Sequence, residues 1–426
     1  MPTPMIRALS SVASASASAS ASRPRLAPLP HRSILELTGP DAQKFLKGLS
    51  CKDVDSLGGG YSGFLNASGR VLHTTFIFPR HHGATRSGSP PSYLISHESP
   101  SVHPAPLQSL LPPFRLRAKV KIRDVSSEWD AWSAWGSSSS SSSTEGVAEG
   151  SDGTRPIRSW RMGSGGAAES QWVWEDGRVG DLGLGDGEVG SWDLRAGWGS
   201  MGRQLLVPKG EKPSLATSHD TALTDEYNLH RMLLGVPEGP NEVIPGSALP
   251  LESCMDIHGG VDFRKGCYLG QELTVRTYHT GATRKRILPI RLVPLSKPNI
   301  NTNTKTPLSS LISSPGTLAL SPTLPLEVTY HPPSSSATRK PRSAGRILSL
   351  QNTVGLALVR LEMVERCWWS GTGEGKGEHS VLASTVDDWK ESGVGRLTTE
   401  IEGDEWGVYV DKGEAYNAAL QFQQSQ

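Results

Sequence analysis

The sequence predicts an α+β protein in which a mixed helix-and-strand region comes first and an all-β module comes last. Between Ser33 and Val125, short strand-like runs alternate with segments of helical period. Beyond Ile287, the runs Ile287–Val293, Ala344–Leu350 and Val354–Leu361 follow one another with no helical period between them. Low-complexity stretches interrupt this order without replacing it.

Folded sequence is expected to begin near Ser33. The run Ile34–Gly39 reads as a strand ending in a turn. Pro40 and Asp41 open a helix whose apolar residues Phe45, Leu46 and Leu49 share a face. Tyr61–Leu65 and Val71–Phe78 read as strands joined by Asn66-Ala67-Ser68-Gly69, residue types that favour tight turns. Tyr93–Ser96 is a further short strand, a helix is expected around Pro106–Leu111, and Lys119–Val125 alternates as a strand does. The serine run Ser137–Ser143 cannot bury apolar surface, so a disordered insertion is expected near 137–153, and the Gly-rich stretch 177–190 reads the same way. Most of the 12 tryptophans lie between Trp129 and Trp198 without a period, which predicts local packing rather than a ligand platform. Ser191–Pro208 returns to folded sequence, and Thr224–Leu234 reads as a helix ended by Gly235 and Pro237. The α/β region thus spans 32–286. The β module spans 287–410, with a disordered Pro/Ser/Thr-rich loop near 296–343 and a last strand at Val408–Val410, and 411–426 reads as a tail.

A net charge of +1 excludes a global field that would recruit nucleic acid or an anionic membrane. No run approaches the roughly 18–20 apolar residues of a membrane span. Cys51, Cys254, Cys267 and Cys367 have no zinc spacing and are too few for a disulfide framework, which points to a reducing compartment. Before Glu36 there is no acidic residue, whereas Arg7, Arg23, Arg25 and Arg32 stand among serines and alanines. That composition predicts an organellar transit peptide over 1–31.

The densest chemistry lies between Val261 and Arg291. Gly266, Gly270 and Gly281 permit tight turns. Cys267 sits between Lys265 and an incipient helix at Gln271–Arg276, surroundings that favour a thiolate able to act as nucleophile or soft-metal ligand. A buried, inert side chain is the commoner fate of a lone cysteine, and composition leaves that reading ahead. Arg276, His279, Arg284, Lys285 and Arg286 suit a carboxylate or phosphate ligand and equally suit a solvated strand edge. Gly163-x-Gly165-x-x-Ala168 follows no clear strand and reads as a loop rather than a dinucleotide site. Asp181, Asp186 and Glu188 lack calcium-loop spacing.

The octapeptide Lys265-Gly266-Cys267-Tyr268-Leu269-Gly270-Gln271-Glu272 resembles the signature of folate-binding relatives of the glycine-cleavage T-protein, an aminomethyltransferase. Mitochondrial members of that family are late-acting assembly factors for 4Fe-4S proteins. The resemblance extends to Gly39–Gly48, Leu65–Leu72, Asp193-Leu194-Arg195, Gly202-Arg203, Gly235–Gly239, Leu249–Glu252, Gly345-Arg346 and Val354–Ala357. It implies a T-protein-like ring of ferredoxin-like α/β lobes followed by a C-terminal β-barrel, around a folate-sized hole that the signature lines or borders. It also implies tetrahydrofolate as a cofactor, held by Lys265, Tyr268, Gln271, Glu272, Arg276 and Asn66. Cys267 becomes the catalytic group, either as ligand to a transient iron–sulfur cluster or as a redox thiol. An A-type scaffold and recipient 4Fe-4S apoproteins become the implied partners, and the mitochondrial matrix the location.

One departure ranks the functions. Aminomethyltransferases carry an acidic pair where this chain has His73 and Thr74, and a further acid where it has Leu233. Without these carboxylates, proton handling at the folate nitrogen has no assigned group. Cluster assembly therefore ranks first, a tetrahydrofolate-dependent one-carbon transferase second, and an RNA-modifying protein third.

Overall fold

The computed structural model describes residues 23–53, 58–80, 90–98, 106–136, 155–164, 166–175, 177, 179–295, 320, 322–332, 340–367 and 395–425. The insertion expected near 137–153, most of the loop expected near 296–343, Arg7 and Gly165 lie outside them. The chain divides into two compact units. One comprises the described residues up to Arg231 together with Glu238–Thr283 and the segment from Glu414 onward; the other comprises Met232–Pro237 and Arg284–Gly413.

The first unit holds two five-stranded sheets. One has the order β3-β4-β5-β2-β6 and is antiparallel throughout, from β2 (Arg32–Thr38), β3 (Gly60–Leu65), β4 (Val71–Pro79), β5 (Ser92–Glu98) and β6 (Lys121–Asp124). Leu35 and Leu37 point to one face of β2, as a two-residue period requires. Helices α1 (Ala42–Lys47) and α2 (Leu107–Leu110) cover that face with Ala42, Phe45, Leu46 and Leu107. Burying Phe45 and Leu46 stabilises the layer by roughly 1.5–3 kcal/mol each.

The other sheet has the order β10-β11-β7-β1-β12, from β1 (Arg25–Pro28), β7 (Trp129–Trp135), β10 (Val189–Trp192), β11 (Arg203–Pro208) and β12 (Asp220–Thr221). Here β1 runs antiparallel to β7 and parallel to β12. Two strands, β8 (Pro156–Met162) and β9 (Ala168–Trp174), form a separate hairpin. Two further helices are α3 (Thr224–Leu233) and α4 (Gln271–Thr280).

The second unit is a closed antiparallel barrel, β13-β16-β15-β14-β17-β18, from β13 (Lys285–Pro294), β14 (Leu326–His331), β15 (Arg342–Gln351), β16 (Val354–Arg360), β17 (Arg396–Ile401) and β18 (Asp404–Val410). Closure leaves no sheet edge to pair wrongly. The expected order of mixed region then β module therefore holds. No described helix is long and apolar enough to cross a membrane.

Several boundaries differ from the expectation. Folded structure begins at β1, before Ser33, and two arginines inside the segment read as a transit peptide are structural, Arg23 pairing with Asp220 and Arg25 with Glu226, while Arg32 just beyond it pairs with Glu238. β14 forms inside the segment read as a disordered loop. The segment read as a tail forms helix α5 (Gly413–Gln424), which buries Ala415, Tyr416 and Ala419. The Gly-rich stretch carries the start of β10, and Val179 and Leu182 pack against Trp172, Trp174 and Trp192. That cluster bears out local packing of the tryptophans. Gly163 does follow a strand, but as part of the β8–β9 turn, and no helix opens there.

Candidate functional site

The signature loop is fixed to the first sheet by backbone approach. Leu269 N–H donates to the Gly48 carbonyl at 3.0 Å, just past the end of α1. The Lys265 ammonium donates to the Lys47 carbonyl and lies 5.0 Å from the Tyr268 ring centroid. The neighbouring hairpin is set by Asn66, whose Oδ1 accepts from the N–H of Ser68 and of Arg70 at 3.0 and 2.9 Å. Gly270 then meets this hairpin so closely that a Cβ would sit 2.2 Å from the Asn66 carbonyl oxygen, at a φ of +78°. Only glycine satisfies both conditions. Helix α4 starts next, and Gln271 Oε1 accepts from Tyr268 N–H at 3.2 Å.

This anchoring buries Tyr268 and leaves Cys267 exposed. The other three cysteines are buried. Burial pushes the Cys51 and Cys367 thiols up to about 12, which makes both inert near neutral pH. Burial also brings the half-buried Lys265 ammonium down to about 8. Lys265, Cys267 and Tyr268 thus share one loop, Gln271 opens α4 directly after it, and Asn66 belongs to the hairpin that meets Gly270. Glu272 and Arg276 stand exposed on α4. The basic run downstream is not a single surface, because Arg286 is fully buried in β13.

A buried charge network went unread in the sequence. Arg195 binds Asp193 at 2.5 and 2.8 Å and Glu238 at 2.5 Å. Arg32 and the Tyr227 hydroxyl also reach Glu238, at 2.6 and 2.7 Å. Arg231 binds Glu242 at 2.7 and 3.0 Å. Burial alone would raise the Glu238 pKa, but Arg195, Arg32 and Arg231 outweigh it and hold this carboxyl well below its usual range. Asp193, Arg195 and Glu238 all fall in segments noted for resemblance. Their convergence is the signal that spacing could not supply. His31, Glu98 and Glu238 also approach within 4.8 Å of one another, yet guanidinium groups already occupy both Glu238 oxygens.

Beside Arg195 lies a cavity of about 20 Å³, lined by Lys52, Tyr61, Trp172, Trp192, Leu194 and His258 among others. The Tyr61 hydroxyl and the Trp172 indole N–H are buried with no partner among the described residues. None of the seven residues assigned from the signature resemblance lines it. His73 is buried in β4 with its ring 5.5 Å from that of His97. Burial, then the His73 charge, brings His97 down to about 4 and keeps it neutral.

A family profile described as CAF17, C-terminal beta-barrel domain, matches residues 284–391. A solved structure of the glycine cleavage system aminomethyltransferase T from Bartonella henselae superposes with a TM-score of 0.52, covering 92% of this chain and 86% of its own, at 10% identity. That likeness establishes the T-protein-like fold. The protein from Cryptococcus neoformans var. neoformans serotype D (strain JEC21) named iron-sulfur cluster assembly factor IBA57 homolog, mitochondrial, is 67% identical over 94% of this chain and 99% of its own length. Proteins of the same name from Coccidioides immitis and Mycosarcoma maydis are 35% and 31% identical, over 78% and 88% of this chain and 71% and 84% of their own lengths. With that identity along almost its whole length, the chain belongs to the IBA57 family of mitochondrial iron–sulfur cluster assembly factors.

Proposed function

We propose that this chain serves the maturation of 4Fe-4S proteins in the mitochondrial matrix, and that Cys267 is the group that meets the cluster. The observation that carries this reading is the contrast among cysteines: one thiol is exposed on a backbone-anchored loop and three are buried. One thiolate supplies one ligand, whereas a cluster of this kind takes four. The remaining ligands then come from a partner, and an A-type scaffold is the proposed one, with recipient apoproteins downstream. The same exposure would serve a redox thiol, which is the second role open to Cys267.

Tetrahydrofolate fits the cavity chemistry in part. Tyr61 and Trp172 offer unpartnered donors and Lys52 a cation, whereas the Arg195 guanidinium is already held by Asp193 and Glu238. The volume does not fit: about 20 Å³ holds one water, while pockets for ligands of drug size run to roughly 300–1,000 Å³. No step is therefore routed through folate. His73, Thr74 and Leu233 likewise offer no carboxylate for one-carbon transfer.

The test is anaerobic reconstitution with a purified A-type scaffold and an apo-aconitase-type enzyme, for wild type and Cys267→Ser. Wild type should copurify with cluster absorbance and restore enzyme activity, and the variant should lose both. Absorbance lost with activity kept would favour the redox role over the ligand role. Equal performance of the two proteins would end the cysteine proposal, and turnover of methylene-tetrahydrofolate by purified protein would restore the transferase reading.

A further inference from the structure

The segment Phe114-Arg115-Leu116-Arg117-Ala118-Lys119-Val120-Lys121 leads into the edge strand β6 and carries a concentration of charge that the chain's net +1 conceals. No carboxylate occurs from Pro106 to Arg123. Arg115, Arg117, Lys119 and Lys121 are all exposed. Between them stands Leu116, 88% exposed and at a φ of +44°, with Phe114 44% exposed beside it. A leucine held in the left-handed region with nearly all of its surface in water is unfavourable twice over within the isolated chain. An open groove of about 450 Å³ lies along the same segment, lined also by Thr38, Gly39 and Pro90.

The position of this rim connects it to the signature loop. Lys119 N–H donates to Asp41 Oδ2 at 2.7 Å, at the start of α1. At the other end of α1, the Gly48 carbonyl accepts from Leu269 N–H. Six helical residues span about 9 Å. Ala118 and Leu269 pack against the same core cluster, with Val120, Phe45 and Leu46. Lys44 and Lys47 stand exposed on α1 between the two ends, Lys47 partly offset by Asp53 at 2.9 Å. Among nearby acids, Glu36 is held by Arg80 and Arg123.

We infer that the rim Arg115–Lys121, with Lys44, is the docking surface for the protein that meets Cys267, and that this partner presents an acidic face with an apolar seat for Leu116. The inference rests on the assembly role proposed above. Exposed cations steer an acidic partner toward the loop, and Leu116 fixes its register. A protein suits the observations better than a membrane or a nucleic acid, because the groove and the leucine ask for a shaped apolar counterpart and the cations run toward the thiol.

Titration calorimetry of the full chain against a purified apo A-type scaffold tests it. Five proteins are compared: wild type, the double reversal Arg115→Glu with Arg117→Glu, Leu116→Ser, Cys267→Ser, and Arg342→Glu as a control in the other unit. The double reversal should weaken binding at least tenfold and flatten its salt dependence. Leu116→Ser should weaken it several-fold, while Arg342→Glu stays within threefold of wild type. If the reversal variant fails to fold by thermal melt, Arg115→Gln with Arg117→Gln replaces it, with the same direction expected. Unchanged affinity and salt slope in the rim variants overturn the docking surface, and so does a scaffold that does not bind wild type. Binding to phosphatidylcholine–phosphatidylglycerol vesicles or to tRNA that the reversal abolishes, with scaffold binding intact, reassigns the rim and also overturns the proposal. Cluster absorbance kept by Cys267→Ser while the rim variants lose binding removes the thiol reading and leaves the docking surface standing.

Discussion

Cys267 differs from the other cysteines through what packs beside it. Tyr268 turns inward, Leu269 ties to Gly48, and the thiol is left in solvent. A bulky disulfide reagent should therefore label one thiol rapidly in the native protein and four after denaturation; in Cys267→Ser the native count should fall to none. Rapid labelling of a second cysteine would mean that Cys51, Cys254 or Cys367 opens more readily than its burial implies. The sequence identified Cys267 through the octapeptide but could not establish its exposure. Burial is decided by backbone contacts from Gly48 and Asn66, some 200 residues away. The Lys265 ammonium shows the same limit. Its neighbour in sequence is the cysteine, yet its hydrogen bond goes to the Lys47 carbonyl.

Among elements, the joint between the Asn66 hairpin and α4 carries the site. Gly270→Ala places a Cβ against the Asn66 carbonyl in a left-handed backbone, so it should cost about 2–4 kcal/mol in urea unfolding and loosen the signature loop. A loss under about 0.5 kcal/mol would mean that the hairpin yields without resistance. The hairpin, α1 and the barrel strands were legible because each carries its own turn chemistry or apolar period. β1 was not: it has four residues, ends in proline, and is stabilised by pairing with Ala134 and Thr221, far along the chain. β14 was hidden for another reason. Its alternation, Leu326-Glu327-Val328-Thr329-Tyr330-His331, is only six residues long inside a Pro/Ser/Thr-rich background that dominates any composition window. The Arg195–Glu238 network was illegible because ion pairing depends on three-dimensional convergence of segments that each look unremarkable.

At the scale of the whole molecule, buried titratable groups make stability depend on acid. His97 has a folded pKa of about 4 against its usual 6.5. As pH falls, the unfolded chain takes up that proton first, so stability is lost between about 6.5 and 4, by on the order of 2–3 kcal/mol. The Glu238 carboxyl lies below its usual range, so its contribution is present above about 4.5 and is lost as pH falls further. Both act in the same direction. Urea midpoints should fall from pH 7 to pH 4.5, and His97→Asn should flatten that slope; a flat profile for wild type would show that His97 is not held neutral by the fold. The placement of β1 has a consequence for processing. A cut that trimmed the chain to Arg32 would remove β1, the strand that joins β7 to β12. Two raw edges would then face an empty slot, and the slot would invite a strand from another molecule.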